Sequence, residues 1–349
     1  MTAHQISMVL DLNKCIGCQA CTTACKTLWT DEPGQEHMLW NNVETKPGPG
    51  YPRNWEERGK KSGWKDGVLQ YGGLHDDADY GPPLKLSHEA TYFEGSEERL
   101  QRPEPMAYGP NWHEDSSSGE FPNNYHFYLP RLCNHCTKPA CLEACPVRAI
   151  YKRERDGIVL VDQDKCQGFR LCNQACPYDK MYFNHVLRKS QKCIFCFPRI
   201  EQGIAPACAR QCPGRLRFVG YVDDVGGPIW KLVHEWKVAL PLHPEYGTEP
   251  NVFYVPPMLP PRFDEEGRFD EENPRVPIEY LRYLFGPEVD GALITLHEEM
   301  EKKQAGKPSE LMDLLIARDW KTLFNIPDVQ VASSAEGTYP ENPWTGQPV

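Results

Sequence analysis

The chain has 349 residues, of which 40% are apolar and 25% are charged, and its formal net charge is −11. This acidic balance argues against nucleic acid as a partner, because binding phosphate groups requires a basic field. No stretch approaches the ~18 apolar residues of a membrane helix, and the N-terminus lacks the charged-then-apolar pattern of a secretory signal, so we expect neither a direct membrane span nor a leader. The 33 prolines and 27 glycines predict long loops.

The first element is a cysteine group in which Cys15, Cys18, Cys21 and Cys25 follow a short strand-like run, VLDLNK. Cysteines separated in this way are typical of a chain that wraps around an iron–sulfur cubane, and the fourth cysteine of such a group ligates a different cluster. The group also lies in an internal repeat, because VLDLNKCIGC at residues 9–18 matches VLVDQDKCQGF at residues 159–169. We call it group I.

Residues 26–132 separate group I from the next cysteines and are too many for a loop inside a ferredoxin. They contain turn-rich stretches such as KPGPGYPRNW, and their tryptophans are Trp29, Trp40, Trp55, Trp64 and Trp112. Disordered segments are poor in aromatic residues, so we predict an ordered insert that binds a partner. A disordered insert is the alternative.

Groups II and III lie close together in the middle of the chain. Group II is Cys133, Cys136, Cys141 and Cys145, group III is Cys166, Cys172 and Cys176, and each ends in Cys-Pro. Between them, Asp156-Gly157 separates two apolar stretches and predicts a hairpin turn. His135, inside group II, is expected to pack or hydrogen-bond beside a cluster rather than bind iron, because all four cysteine positions of its group are filled.

Group III lacks one cysteine. Its spacing requires a cysteine at the position of Phe169, between Cys166 and Cys172. Four groups of four would supply 16 ligands, one more than the 15 cysteines of the chain, all of which lie in the groups. A phenyl ring cannot bind iron. We therefore predict three [4Fe-4S] clusters and one [3Fe-4S] cluster, the latter at the vacant position.

Group IV consists of Cys193, Cys196, Cys208 and, before a proline, Cys212. A basic run surrounds it, made of Arg188, Lys189, Lys192, Arg199, Arg210, Arg215 and Arg217. Such a run is usually a solvated face. Positive charge near a cluster can also stabilise its reduced state and raise its potential, and the sequence leaves both interpretations open.

Residues 213–349 contain no cysteine. Two leucine-rich sets keep helical spacing in this segment: Leu293, Leu296 and Met300, and then Leu311, Leu314 and Leu315. Pro308-Ser309 predicts the start of the second helix. These side chains form either an ordinary core or an arm that embraces another subunit.

Zinc sites and disulfides are the other common uses of so many cysteines. Structural zinc usually has two Cys-x2-Cys knuckles separated by a longer loop, whereas groups I to III crowd their cysteines. Disulfide frameworks suit short secreted domains, and this chain is long and has an odd number of cysteines. Iron–sulfur binding is therefore the favoured interpretation. The chain has no dinucleotide-binding, Walker, nucleophile-elbow or metal-hydrolase motif, so we expect no catalytic site of its own.

The pattern predicts an α+β fold with two bacterial-ferredoxin-like two-cluster modules, one nested in the other. The predicted domains are an outer module (1–25 and 177–225), a loop-rich partner-binding insert (26–132), an inner module (133–176) and a C-terminal arm with helices (226–349). The fourth-cysteine rule then sorts the ligands into four sites. Site A is Cys15, Cys18, Cys21 and Cys212; site B is Cys25, Cys193, Cys196 and Cys208; site C is Cys133, Cys136, Cys141 and Cys176; site D, for [3Fe-4S], is Cys145, Cys166 and Cys172.

The four groups, including the missing cysteine, resemble the iron–sulfur β subunits of the DMSO reductase family of molybdenum enzymes, in the nitrate reductase-like branch. The similarity covers most of residues 8–262 and includes DLNKCIGCQACTTACKTLWT, YPRNW, YLPRLCNHCTKPACLEACP, CFPRIEQG and ALPLHPEYGTEPNVFYVPP. In the respiratory nitrate reductase β subunit the vacant position typically holds tryptophan and the chain is much longer. Phe169 and the present length are closer to a periplasmic sub-branch that includes ethylbenzene dehydrogenase, dimethyl sulfide dehydrogenase, selenate reductase and chlorate or perchlorate reductase.

This resemblance implies a non-catalytic electron-transfer subunit with two partners, a molybdopterin-containing catalytic α subunit and a γ subunit that carries haem b. It favours ethylbenzene dehydrogenase, with the other members of the sub-branch and nitrate reductase as alternatives, and it leaves the direction of electron flow open. It also implies the periplasm, reached as a folded complex by means of the α subunit's twin-arginine signal; the cytoplasmic face of the membrane is the alternative. An autonomous polyferredoxin carrier is the rival from another class, although it would need neither the insert nor the arm.

Overall fold

The computed structural model describes residues 4–81, 118–258, 260–327 and 329. The fold is mixed α+β, with short regular elements joined by long loops, as the sequence predicts. The strands are β1 (Ile6–Asp11), β2 (Asn41–Lys46), β3 (Gly63–Lys65), β4 (Val68–Gln70), β5 (Phe127–Leu132), β6 (Ile150–Lys152), β7 (Val159–Val161), β8 (Tyr182–Asn184), β9 (Lys189–Gln191), β10 (Arg217–Tyr221), β11 (Leu240–Pro241), β12 (Val252–Val255), β13 (Pro261–Phe263), β14 (Phe269–Pro274) and β15 (Phe324–Asn325).

The helices are equally short, apart from two. They are α1 (Ala20–Trp29), α2 (Trp55–Gly59), α3 (Asp77–Tyr80), α4 (Ala140–Glu143), α5 (Leu171–Ala175), α6 (Phe197–Ile200), α7 (Ala207–Arg210), α8 (Pro228–Trp230, continued by a π-helical turn Lys231–Glu235), α9 (Ile278–Phe285), α10 (Val289–Gln304), α11 (Glu310–Ile316) and α12 (Trp320–Leu323). None of them has the length and apolar character that a membrane span requires, within the part of the chain that the structure describes.

The largest sheet has five strands in the order β11-β12-β1-β10-β15. Strand β1 runs antiparallel to β10 and parallel to β12. Its sequence, ISMVLD, is buried along its whole length, as expected of a central strand that is covered on both faces. The first strand of the chain is therefore held between two strands that come from far downstream.

The two faces of β1 contact different parts of the chain, because alternate residues of a strand point to opposite sides. Met8 and Leu10 belong to a large core that includes several cysteines, whereas Val9 packs in a second core with Leu296 of α10 and Leu311 of α11. The predicted helices of the arm are confirmed, and the side chain of Ser309 caps α11 by accepting a hydrogen bond from the backbone N–H of Met312. These leucines cover the chain's own sheet.

The insert is ordered where the structure describes it. Strand β2 pairs antiparallel with β5, from Asn41 opposite Leu132 to Lys46 opposite Phe127. Trp40 and Trp55 are buried within the chain itself. Trp112, with the rest of residues 82–117, lies outside the described residues, as do residues 330–349 of the predicted arm.

Two small hairpins follow groups II and III. Strands β6 and β7 pair antiparallel, and Gly157 in the connection has a φ of 70°, so the predicted Asp156-Gly157 turn is confirmed. Strands β8 and β9 form the second hairpin, immediately before group IV. Each hairpin reverses the chain between one cysteine group and the next.

Candidate iron–sulfur sites

Helix α1 sets the spacing of group I. The turn before it requires Gly17, whose φ is +67° and where an added Cβ would lie 2.6 Å from the ring of Tyr128. Cys21 and Cys25, four residues apart on α1, are buried on one helical face. The pairs Cys141/Cys145, Cys172/Cys176 and Cys208/Cys212 repeat this four-residue spacing. In each pair the two cysteines belong to different predicted sites, so one turn of chain joins neighbouring sites.

Site B surrounds a cavity. All four predicted cysteines, Cys25, Cys193, Cys196 and Cys208, border it. Two hydrogen bonds reach the sulfur atoms: Nε1 of Trp29 donates to Sγ of Cys196 across 3.1 Å, and the backbone N–H of Phe195 donates to Sγ of Cys193 across 3.3 Å. Burial, and then the charges of the other three cysteines, raise the pKa of the Cys25 thiol.

Site C surrounds a second cavity, which is bordered by Cys133, Cys136, Cys141 and Cys176. His135 lies in the same lining and is buried. Its Nδ1 accepts a hydrogen bond from the backbone N–H of Val159 across 3.1 Å, so Nε2 carries the proton of the neutral ring, and this buried Nε2 has no partner in the described residues. His135 thus packs and hydrogen-bonds beside site C, as predicted.

The cysteines predicted for site A are more exposed than those of site B. Burial raises the pKa of Cys15 to about 11, with further contributions from the neighbouring Cys21 and Cys212. Cys18 is exposed to solvent. A guanidinium nitrogen of Arg217, Nη2, donates to Sγ of Cys21 across 3.2 Å.

Site D takes its predicted cysteines from groups II and III. Burial raises the pKa of Cys172 to about 11, and the charges of Cys166 and Cys145 also raise it. Backbone N–H groups donate to two sulfur atoms, from Ala149 to Cys145 across 3.2 Å and from Ser190 to Cys166 across 3.4 Å. Phe169, at the predicted vacant ligand position, is 56% exposed.

The four sites form a series in the structure. Sites A and B meet along α1, and sites C and D meet along α4 and the turn after it. Sites B and C are adjacent, because Leu132 lines the cavity of site B and the next residue, Cys133, lines that of site C. The two ends of the series, near Cys18 and Phe169, are at the surface.

Buried cations lie near these sites, and three of them hydrogen-bond only to carbonyl oxygens or sulfur atoms. Lys26 donates to the carbonyl oxygens of Thr30, Gln35, Glu36 and Met38; Lys192 donates to those of Val159 and Cys193; and Arg217 donates to sulfur atoms of Met8 and Cys21. None of the three forms an ion pair with an acidic side chain of the described residues. Burying an unpaired cation costs several kcal/mol, of order 3–5 where a partner is lost.

A buried anion between these cations would remove that cost. Thiolates around an iron–sulfur cluster supply net negative charge there, so the orphaned cations, the free Nε2–H of His135 and the N–H groups aimed at sulfur all fit bound clusters. The cysteines of sites B and C each border a cavity. The residues present at these two sites therefore fit clusters.

Sequence reasoning missed two of the side chains that contact the sites. The sequence indicates Trp29 only as an aromatic residue of the insert, although its Nε1 donates a hydrogen bond to Sγ of Cys196. Lys26 had a visible signal, because it follows Cys25 where groups II to IV have proline. Burial lowers the pKa of Lys26 to about 8, which reflects how completely its ammonium group is withdrawn from water.

Comparisons with known proteins agree with these sites. Residues 124–222 match the family model of a 4Fe-4S dicluster domain. The selenate reductase subunit beta of Thauera selenatis is 56% identical over 330 residues, which cover 93% of this chain and all of that protein. The dimethylsulfide dehydrogenase subunit beta of Rhodovulum sulfidophilum is 55% identical and the chlorate reductase subunit beta of Ideonella dechloratans 57% identical, with the same shares covered.

The chain belongs to the iron–sulfur β subunits of the DMSO reductase family of molybdenum enzymes. Identity above half of the residues over 93% of the chain means that the similarity extends well beyond the family-model match at residues 124–222. Ethylbenzene dehydrogenase, which the resemblance favoured, is not among the relatives described here. The named relatives belong to the alternatives that the sequence left open.

Proposed function

We propose that this β subunit holds [4Fe-4S] clusters at sites A, B and C and a [3Fe-4S] cluster at site D, and that it conducts electrons between a molybdopterin-containing catalytic subunit and a haem b subunit. The observation that carries the proposal is the series of four cysteine sites with its two ends at the surface. The clusters, when bound, would supply one-electron carriers at successive points of this series.

The chain's own residues would hold the clusters and shield them from water. The helical turns of α1, α4, α5 and α7 place the cysteines of neighbouring sites four residues apart. Buried aromatic and aliphatic side chains around sites B and C exclude water, and N–H groups and buried cations face the sulfur atoms. Burial raises the pKa of Cys176 to about 12, so this thiol would be protonated at neutral pH and would lose its proton on binding iron.

The nested arrangement of two ferredoxin-like modules belongs to the same proposal. Sites A and B take their ligands from groups I and IV, in residues 1–25 and 177–225, and sites C and D take theirs from residues 133–176. The geometry supports this sorting, because the four cysteines proposed for site B and the four proposed for site C each border one cavity. The match to a dicluster domain spans groups II to IV.

The partners and the location that we propose are those implied by the family resemblance. An α subunit with molybdopterin would meet one end of the series and a γ subunit with haem b the other, with the complex in the periplasm. Ethylbenzene dehydrogenase stays our prediction for the complex. The alternatives are a selenate, chlorate, perchlorate or nitrate reductase and a dimethyl sulfide dehydrogenase.

The decisive experiment is to purify the complex anaerobically from its native host and to measure metals, acid-labile sulfide and electron paramagnetic resonance. We expect this chain to contribute about 15 iron atoms, four at each of sites A to C and three at site D, together with molybdenum and haem b from the partners. Near-stoichiometric zinc with little sulfide would overturn the cluster assignment. A fully loaded monomer that purifies without partners would favour the polyferredoxin carrier.

A further inference from the structure

One arginine of the basic run around group IV is placed differently from the others. Arg217 is only 1% exposed, whereas Arg188 and Arg215 are exposed and Arg210 is partly so. It lies at the start of β10, opposite Leu10 of β1, inside the five-stranded sheet. The fold therefore fixes this guanidinium in the interior.

The contacts of Arg217 are with sulfur. Its Nη2 donates to Sγ of Cys21 across 3.2 Å, and its Nη1 lies 3.7 Å from Sδ of Met8. Its buried Nε has no partner among the residues that the structure describes. A guanidinium has five N–H donors and cannot lose its charge in a protein, so the group that balances this charge has to lie on the sulfur side.

Four predicted ligand cysteines interact electrostatically with this guanidinium. Burial disfavours the charged form, but Cys21, Cys208, Cys212 and Cys15 outweigh burial and raise the pKa of Arg217. Three of these cysteines belong to site A and one, Cys208, to site B. The direct hydrogen bond is made to site A alone.

We propose that Arg217, acting through Cys21, sets the reduction potential of site A and holds it above the value that its cysteines alone would give. This inference rests on the proposed function, because it assumes a cluster at site A. Reduction adds one electron and no bond is made or broken. A hydrogen bond to a ligand sulfur and a fixed positive charge both stabilise the more negative, reduced state.

The exposed arginines nearby cannot do the same. Arg215 donates to the backbone carbonyl of Arg318 and lies in solvent, where water and salt screen its charge. The charge of Arg217 is buried, so water and salt screen it much less. Site A is thus adjusted by one buried residue rather than by the net charge of the basic run.

The test compares Arg217→Met, Arg217→Lys and Arg215→Met in the complete, anaerobically purified complex. Each sample is titrated with dithionite and mediator dyes while paramagnetic resonance follows each cluster, and iron is counted in parallel. In Arg217→Met the ratio of reduced to oxidised site A at a fixed ambient potential should fall about tenfold, which is about 59 mV for a one-electron couple. Sites C and D should not move. Arg217→Lys, which keeps the charge but shortens the donor, should lie between the wild type and Arg217→Met.

Arg215→Met removes the same charge from an exposed position and should change the ratio by less than about twofold. The inference is overturned if Arg217→Met has full iron and an unchanged site A, or if all four sites shift equally. Loss of iron from site A in both Arg217 variants would also overturn it, in favour of a purely structural role. A wild-type complex without a cluster at site A would instead refute the proposed function.

Discussion

The guanidinium carbon of Arg131 lies 3.5 Å from the ring centroid of Trp55. Arg131 precedes the first cysteine of group II by two residues, and Trp55 is one of the tryptophans predicted to bind a partner. Nε of Arg131 and Nε1 of Trp55 both donate to the carboxylate of Glu44, across 2.7 and 3.1 Å. The insert therefore supports the segment that leads into site C.

We expect Glu44→Gln to destabilise the protein by about 3–5 kcal/mol, because it leaves buried cations without their anion. Burial opposes ionisation of Glu44, but Arg131, Lys46 and Lys180 lower its pKa to about 2, so the carboxylate is charged at neutral pH. Anaerobic urea unfolding followed by tryptophan fluorescence measures the change. Glu57→Gln, at an exposed pair with Lys60, is the control and should change stability by less than about 1 kcal/mol. Equal stability of the two variants would show that the buried network contributes nothing.

His243 makes part of the stability dependent on pH. Its ring is buried, with Nδ1 2.8 Å from Glu245 and Nε2 3.4 Å from Glu56. Burial opposes its charging, but the two carboxylates outweigh burial and raise the pKa of His243 above its usual 6.5. A raised pKa stabilises the fold below about 6.5, and this contribution is lost as pH rises through the folded-state value. The Tm difference between wild type and His243→Gln should therefore shrink as the pH rises above about 6.5. A difference that does not change with pH would show that folding leaves the pKa of His243 unshifted.

Phe169→Cys should supply the missing ligand of site D. Phe169 is exposed beside Cys166, so a thiol there meets little steric resistance, and we expect the [3Fe-4S] centre to become [4Fe-4S] with about one more iron per chain. The oxidised complex should then lose the paramagnetic signal of the [3Fe-4S] centre. Phe169→Ser, which removes the ring without adding a ligand, is the matched control and should keep the signal. An undiminished signal in the cysteine variant would show that Phe169 is not the vacant position.

Leu311→Ala should lower the free energy of unfolding of this chain. Leu311 of α11 is fully buried against the sheet, in one core with Val9 and Phe218, so the truncation removes packed methyl groups and leaves a cavity that costs about 2–5 kcal/mol. Ile294→Ala, on the neighbouring α10 and 60% exposed, is the comparison. If the urea midpoint of unfolding of the purified complex falls by the same amount in both variants, α11 does not belong to the chain's own core.

The elements with a local chemical signal could be predicted from the sequence. Cysteine spacing indicates the groups, Asp156-Gly157 can form a tight turn without strain, and Ser309 caps a helix through its own side chain. Each of these depends on residues within a few positions of one another. The same holds for Phe169, which is visible only because the spacing around it is so regular.

Contacts between distant single residues could not be predicted. The sequence around Glu44 does not predict its contact with Arg131, and the sequence around Trp29 does not predict its contact with Cys196. An isolated charged side chain or indole is compatible with many environments. For the same reason, the sequence predicts that Trp55 contacts a partner, whereas in the structure Trp55 packs against Arg131. Leucine stripes indicate helices reliably, but the surface they cover depends on where β1 lies in the sheet.

The central position of β1 has a consequence for biosynthesis. Ile6 pairs with Tyr221, and Met8 pairs with Val252 on the other side, so the first strand to leave the ribosome has no neighbours until most of the chain has been translated. Folding dominated by such distant pairings is slow, and incomplete chains expose their apolar segments. The cysteines proposed for sites A and B extend from Cys15 to Cys212. A nascent chain that stalls before residue 208 therefore lacks ligands of both sites, and one that stalls before residue 212 still lacks a ligand of site A.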